Sequence, residues 1–310
     1  MLPIAPAGAS TYRPAMTDLF PPFAPDEKEA RRRRFKDVPF RIIAPNLVTL
    51  LAICLGLTAM RLVTEGKLEI AVYCILAAAA LDGVDGRLAR FLKGTSRFGE
   101  QLDSLADFVN FGVAPGFILW HFVLKDAKNF GWIAALIFAI AMCLRLARFN
   151  VMIDDPNRPA WKKGFFTGVP APAGAGLVML PLYLHFLGVP ITFADAGVVL
   201  APLIAVYVIG IAFLLVSSLP IFSGKTTGVA IPRERVLPLF AGAVAVVGLL
   251  VAYPFETLTV LVLAYFAMIP VSIRSYRARE RQEDAAASAA KAEAQAEDRR
   301  IADDSVADGG

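Results

Sequence analysis

With 310 residues, 57% of them hydrophobic, and a positive mean hydropathy, the chain is too apolar for a soluble domain and reads as a polytopic membrane protein. Its formal net charge of +4 comes from basic loops that alternate with apolar stretches, so nucleic acid is not needed as a partner to explain it. The three cysteines, Cys54, Cys74 and Cys143, fall inside apolar stretches at spacings that fit no usual zinc pattern, which makes them small buried hydrophobes rather than metal or redox groups.

In chain order, residues 1–25 are proline-rich, lack a compact apolar core before a cleavage site, and are expected to be disordered rather than a secretory signal. Asp26 can cap a short helix reaching Lys36, whose run Arg31 to Arg34 would rest on anionic headgroups. Apolar stretches then follow at about 42–63, 68–92, 99–123, 131–151, 170–188, 195–217, 235–253 and 256–273. The expected fold is therefore all-α, a polytopic membrane bundle of about eight transmembrane helices. The expected organisation is a cytoplasmic N-terminal tail with a basic juxtamembrane segment at 1–37, a membrane domain at 38–275 and a disordered or helical cytoplasmic tail at 276–310.

Charge asymmetry predicts the orientation. Arg31 to Arg34, Lys36 and Arg41 precede the first stretch, and Lys93 and Arg97 separate the second from the third. Arg158, Lys162 and Lys163, then Lys225, Arg233 and Arg235, and finally Arg274, Arg277, Arg279 and Arg281 fall on the same side. The alternate connections carry only Lys67, Lys125 and Lys128, so both termini and the basic loops are expected on the cytoplasmic side of a cell (bacterial-type inner) membrane.

Four aspartates interrupt this apolar pattern. On the second helix Asp82, Asp85, Gly86, Ala89 and Arg90 share one face at helical spacing; on the third, Gly99, Asp103 and Asp107 do the same. Ionisable groups at membrane depth cost several kcal/mol each and mark functional sites. No packing need explains four like charges, which require counter-charge. Hard oxygen ligands suit Mg²⁺ or Mn²⁺, and two such ions can clamp a pyrophosphate against an in-line displacement. Gly86 and Gly99 remove side chains where helices must approach closely, and Arg90 offers a forked donor to phosphate. His121 and His185, toward the opposite face, read as packed or interfacial histidines. A cation transporter is the rival reading, but it would spread its charges along a path across the bilayer rather than cluster them near one face.

The pattern D-x2-D-G-x2-A-R-x8-G-x3-D-x3-D, which occupies 26 residues here, resembles that of the CDP-alcohol phosphotransferases, membrane enzymes of phospholipid synthesis. That resemblance implies that Asp82, Asp85 and Asp103 are metal ligands and that Asp107 completes the metal site and takes the proton from the attacking alcohol. It also implies that Gly86, Ala89, Arg90 and Gly99 contact the CDP moiety of CDP-diacylglycerol, and that the enzyme is a homodimer. The run Ser96–Pro115, Arg145–Asn150, Phe166–Pro172 and Ser217-Ser218-Leu219-Pro220 are similar to the phosphatidylserine synthase branch, with Asn110 standing where that branch has Ser. L-serine is then the expected acceptor; glycerol 3-phosphate, inositol or choline would make the chain a sibling enzyme. Arg145 and Arg148 can each pair with the serine carboxylate or anchor a helix end, and Asn150 can orient the amino acid or cap the helix.

Overall fold

The structure is a computed structural model, which describes residues 40–92, 94, 96–153, 165–191, 200–217, 219–222 and 233–307. The proline-rich stretch 1–25, the Asp26–Lys36 helix, Lys93, Arg158, Lys162, Lys163, Ser218 and Lys225 lie outside the described residues.

Among the described residues each apolar stretch is largely helical, as lipid requires of a backbone that must satisfy its own hydrogen bonds. Helix α1 (Phe40–Thr64) turns at Gly66, whose φ of +79° is the left-handed conformation glycine adopts freely, into α2 (Leu68–Phe91). At this turn Glu65 receives Arg61 Nε and Lys67 Nζ, both at 2.9 Å, and these cations, Lys67 foremost, hold its exposed carboxyl below the ordinary carboxylate range. Ser96 begins α3 (Arg97–Asp107) by accepting the Gly99 N–H at 3.0 Å, an N-cap bond. The rod continues through a π-helical turn at Phe108–Val113 into α4 (Ala114–Phe122). A 3₁₀ turn at Leu124–Ala127 reverses the chain into α5 (Lys128–Ile153).

The chain then forms β1 (Phe165–Thr167), α6 (Ala171–Val178), α7 (Leu180–Phe186) and α8 (Ala201–Val216). It ends with β2 (Pro220–Phe222), α9 (Arg233–Ala252) and the long α10 (Pro254–Ala307). The strands make a short antiparallel ribbon with Phe166 opposite Ile221, a feature the periodicity of the apolar stretches did not announce.

The fold is thus helical and membrane-embedded. Among the described residues four helices are long and apolar enough to cross a bilayer: Ile43–Thr64, Arg97–Phe122, Leu124–Met152 and Pro254–Ala278. Ala201–Val216 and Val236–Ala252 are apolar but shorter. The expected eight crossings are not all recovered by length and composition. Helix α2 carries Asp82, Asp85, Arg87 and Arg90 in its second half, and the stretch 170–188 is divided at Met179 between α6 and α7.

The core lies where α5 packs along α8 and against the α3–π–α4 rod, around Phe111, Ile118, Phe138, Met142 and Leu215, each all but fully buried. In contrast α9 exposes Leu237, Phe240 and Val244, an outward apolar face suited to acyl chains. One end of the bundle gathers aromatic rings. Trp120 meets Trp132 edge-on at 5.2 Å, Phe186 lies 4.3 Å from Phe255, and Phe122 lies 5.0 Å from His185. Such rings settle at membrane–water interfaces, and this end holds both histidines. The aspartates lie away from it, in the second half of α2 and in α3, the first part of the α3–π–α4 rod.

Candidate active site

Helical spacing brings the acidic residues of α2 and α3 together. Asp82, Asp85 and Asp103 each offer a carboxylate oxygen, and the three lie within 4.8 Å of one another. Asp107, one turn beyond Asp103, lies within electrostatic range of Asp82 and Asp103. One oxygen of Asp85 and one of Asp107 are shut off from solvent with no hydrogen-bond partner. Buried polar atoms in native structures are satisfied, and two orphaned carboxylate oxygens beside a tight acidic cluster are what a site for a hard cation presents. The residues present therefore fit a divalent ion.

Beside the cluster opens a cavity of about 560 Å³. Its walls are Pro45, Asn46 and Thr49 from α1, Asp85, Gly86, Ala89 and Arg90 from α2, and Gly94, Ser96, Gly99, Glu100 and Asp103 from the connection and α3. All four residues expected to contact CDP, Gly86, Ala89, Arg90 and Gly99, are on this wall. The two glycines do different work. A side chain at Gly86 would meet nothing within 4 Å, so its absence keeps the cavity open, whereas one at Gly99 would come within 2.9 Å of Asn46 Oδ1. Gly99 thus lets α1 close on α3. Arg90 folds back to donate Nε to the Gly86 carbonyl at 3.0 Å, which holds its stem along the wall with its terminal donors still available.

The three residues expected near the acceptor are separated by the structure. Arg145 is buried at 8% exposure, donates Nε to the Val169 carbonyl at 3.0 Å, lies over the Phe149 ring, and is close enough to Asp107 to interact electrostatically with it. Arg148 instead closes the end of α8, donating to the carbonyls of Val216 (2.6 Å), Leu215 (3.3 Å) and Ser217 (3.0 Å). A cation on the last carbonyls of a helix satisfies orphan acceptors and the dipole together. Asn150 donates Nδ2 to Ser104 Oγ at 3.0 Å, which ties α5 to α3 one residue from Asp103.

Four further residues meet the site with less signal in the sequence. Asn46 and Thr49 lie within an apolar span, where two polar residues three apart after a proline are the one cue. Ser104 stands between two aspartates with no cue of its own. Tyr265 of α10 brings a buried hydroxyl without a hydrogen-bond partner into electrostatic range of Arg145, and only tertiary structure could reveal it.

An acidic cluster that fits a cation, sunk in a helical membrane bundle beside a cavity with glycine and arginine on its wall, is the arrangement expected of a membrane enzyme that handles a phosphorylated substrate. The family model for CDP-alcohol phosphatidyltransferase matches residues 42–213, and a second one, CDP-alcohol phosphatidyltransferase 2, matches 234–270. The chain belongs to the CDP-alcohol phosphatidyltransferase family. Its relatives include the CDP-diacylglycerol–serine O-phosphatidyltransferase of Mycobacterium leprae, 39% identical over 239 residues that make up 76% of each chain. The protein of the same name from Mycobacterium tuberculosis is 38% identical over 76% of this chain and 79% of its own. That of Helicobacter pylori strain J99 is 38% identical over 46% of this chain and 60% of its own.

Proposed function

We propose that the chain transfers the phosphatidyl group of CDP-diacylglycerol to L-serine, giving phosphatidylserine and CMP. The observation that carries this reading is the convergence of Asp82, Asp85, Asp103 and Asp107 beside a cavity walled by Gly86, Ala89, Arg90 and Gly99. The names of the relatives supply the acceptor.

Asp82, Asp85, Asp103 and Asp107 would hold Mg²⁺ or Mn²⁺, two ions by the count of carboxylates. Bound there, the ions neutralise the pyrophosphate and the charge left on the departing CMP. Arg90, with Gly86 leaving space beside it, orients the phosphates. Asp107 accepts the hydroxyl proton of serine as its oxygen bonds to the phosphorus that carries the diacylglycerol. The bond from that phosphorus to the bridging oxygen breaks, and CMP departs with the electron pair. Arg145, beside Asp107, pairs with the serine carboxylate and so points the hydroxyl at the base; Arg148 serves the scaffold instead.

The same reading places eight helical rods across a cell membrane, with both termini and the aspartate end on the cytoplasmic side, where serine is available. It also takes two copies of the chain to form a homodimer. The reaction is tested by giving purified protein labelled CDP-diacylglycerol and serine, glycerol 3-phosphate, inositol or choline. CMP release and phosphatidylserine are expected with serine alone. Turnover with glycerol 3-phosphate and none with serine would overturn the acceptor.

A further inference from the structure

Helix α1 contributes no carboxylate to the site, yet three of its residues meet α2, α3 or the π-helical turn that follows α3. Asn46 fills the space opposite Gly99 on α3. About three turns later Gly56 lies so close to the buried Asn110, in the π-helical turn after Asp107, that any Cβ there would overlap the Asn110 side chain. Between them Thr49, 4% exposed, reaches Asp85 across 36 positions of sequence, with Oγ1 at 2.7 Å from Oδ2. The same hydroxyl lies 3.1 Å from the Pro45 carbonyl one turn back. A hydroxyl has one proton, and the carboxylate is the nearer and, when ionised, the stronger acceptor.

We infer that Thr49 is a positioning residue for the cation site: its hydroxyl holds one oxygen of Asp85 against α1 and thereby turns the other toward the acidic cluster. This rests on the reading that the cluster binds a divalent cation. Asp85 is 3% exposed, and its Oδ1 is the oxygen that has no hydrogen-bond partner. Free to rotate, the carboxylate would exchange its two oxygens; with Oδ2 tethered, one lone-pair set is presented in a fixed direction. The β-branched Thr adds stiffness, since its χ1 choices in a helix are few and the Pro45 carbonyl favours the one that places Oγ1 back along the turn. Partners behind a ligand of this kind set its orientation, and their loss weakens metal affinity about ten- to a hundredfold.

The test measures Mn²⁺ binding directly, by loss of the free-ion paramagnetic resonance signal, on full-length protein in detergent without substrate. Thr49→Val keeps the shape and removes the hydroxyl; it is expected to raise the Mn²⁺ dissociation constant by about tenfold or more. Thr49→Ser is expected to stay near the parent, and Asp85→Asn to bind far more weakly than either. The Mn²⁺ concentration for half-maximal turnover should rise in Thr49→Val more than the KM for CDP-diacylglycerol. Parent-like Mn²⁺ affinity in Thr49→Val overturns the inference while leaving the cation reading in place. A parent protein that binds no Mn²⁺ removes the cation reading and the inference with it. Should Thr49→Val yield no folded protein, Thr49→Cys retains size with a weak donor and is read the same way: weaker Mn²⁺ binding supports the role of Thr49, and parent-like binding refutes it.

Discussion

Asp107 and the two arginines of α5 are where single side chains decide the chemistry. Asp107→Asn keeps the shape of the carboxylate but cannot accept a proton as a base, so turnover should nearly vanish while CDP-diacylglycerol binding stays measurable. A variant with a tenth or more of the parent rate would take Asp107 out of the base role. Arg145→Lys keeps the charge and loses the planar fork, so a bidentate contact with the serine carboxylate weakens selectively. One charged hydrogen bond is worth about 1.5–3 kcal/mol, on the order of ten- to a hundredfold in the KM for serine, with little change for CDP-diacylglycerol. Arg148→Lys should behave differently. Its fork spans the carbonyls of Leu215, Val216 and Ser217, so its loss should lower thermal stability and move both substrates alike. If the two variants gave the same serine-selective defect, the division of labour between these arginines would be wrong. Both were legible in the sequence as candidates for one task. Their separation was not, because it depends on which nearby backbone carbonyls each side chain meets.

At the scale of the element, the helices were legible because lipid demands long apolar helical runs, and the face of α2 that carries Asp82 and Asp85 followed from residue spacing. The contacts between helices were hidden, since nothing in the pattern says that α1 closes on Gly99 and Asn110. Two glycines make such contacts testable. A Cβ at Gly131, at the start of α5, would overlap the backbone carbonyl of Leu124 in the preceding 3₁₀ turn. Backbone yields less readily than a side-chain tip, so Gly131→Ala should lose several degrees in thermal unfolding of the detergent-solubilised protein or fail to accumulate. Small-to-large changes in packed interiors cost about 1–3 kcal/mol, and this one meets backbone. Gly83 is the control: it faces open space, so Gly83→Ala should unfold at or slightly above the parent temperature, an added Cβ favouring the helix by about 0.8–1 kcal/mol. Equal behaviour of the two variants would mean that the α5 turn is not packed as described.

For the whole molecule, the two ends of the bundle differ in chemistry, and orientation follows from which end faces the cytoplasm. The aromatic end carries Tyr73, Trp120, Trp132 and Phe255, together with the short α1–α2 turn at Lys67. The other end carries the acidic cluster, and past it α10 continues as a helix to Ala307, through Arg274, Arg277 and Arg281. The positive-inside rule weighs lysines and arginines near the ends of spans, and on the proposed orientation that second end faces the cytoplasm. A cysteine introduced at each end reads the outcome directly. The native Cys54 and Cys143, exposed on the bundle surface rather than buried as the sequence suggests, and the half-buried Cys74 lie within helices α1, α5 and α2 and would first be replaced by Ser or Ala. In that background Lys67→Cys should react with a membrane-impermeant maleimide on intact cells whose outer envelope has been made permeable. Arg277→Cys should react only after the cell membrane itself is opened. The reverse pattern would turn the bundle over and place the aspartates on the outer face, away from cytoplasmic serine. Chelation supplies the complementary check from inside the site. EDTA should abolish turnover, and Mg²⁺ or Mn²⁺ should restore it, because the described cluster offers only hard oxygen ligands. Since the cluster sits at the Arg277 end, EDTA added outside should abolish turnover in sealed inside-out vesicles supplied with serine, and should leave it intact in sealed right-side-out vesicles loaded with serine and Mg²⁺. Loss of turnover to external EDTA in the right-side-out vesicles would contradict the cytoplasmic placement independently of the cysteine labelling.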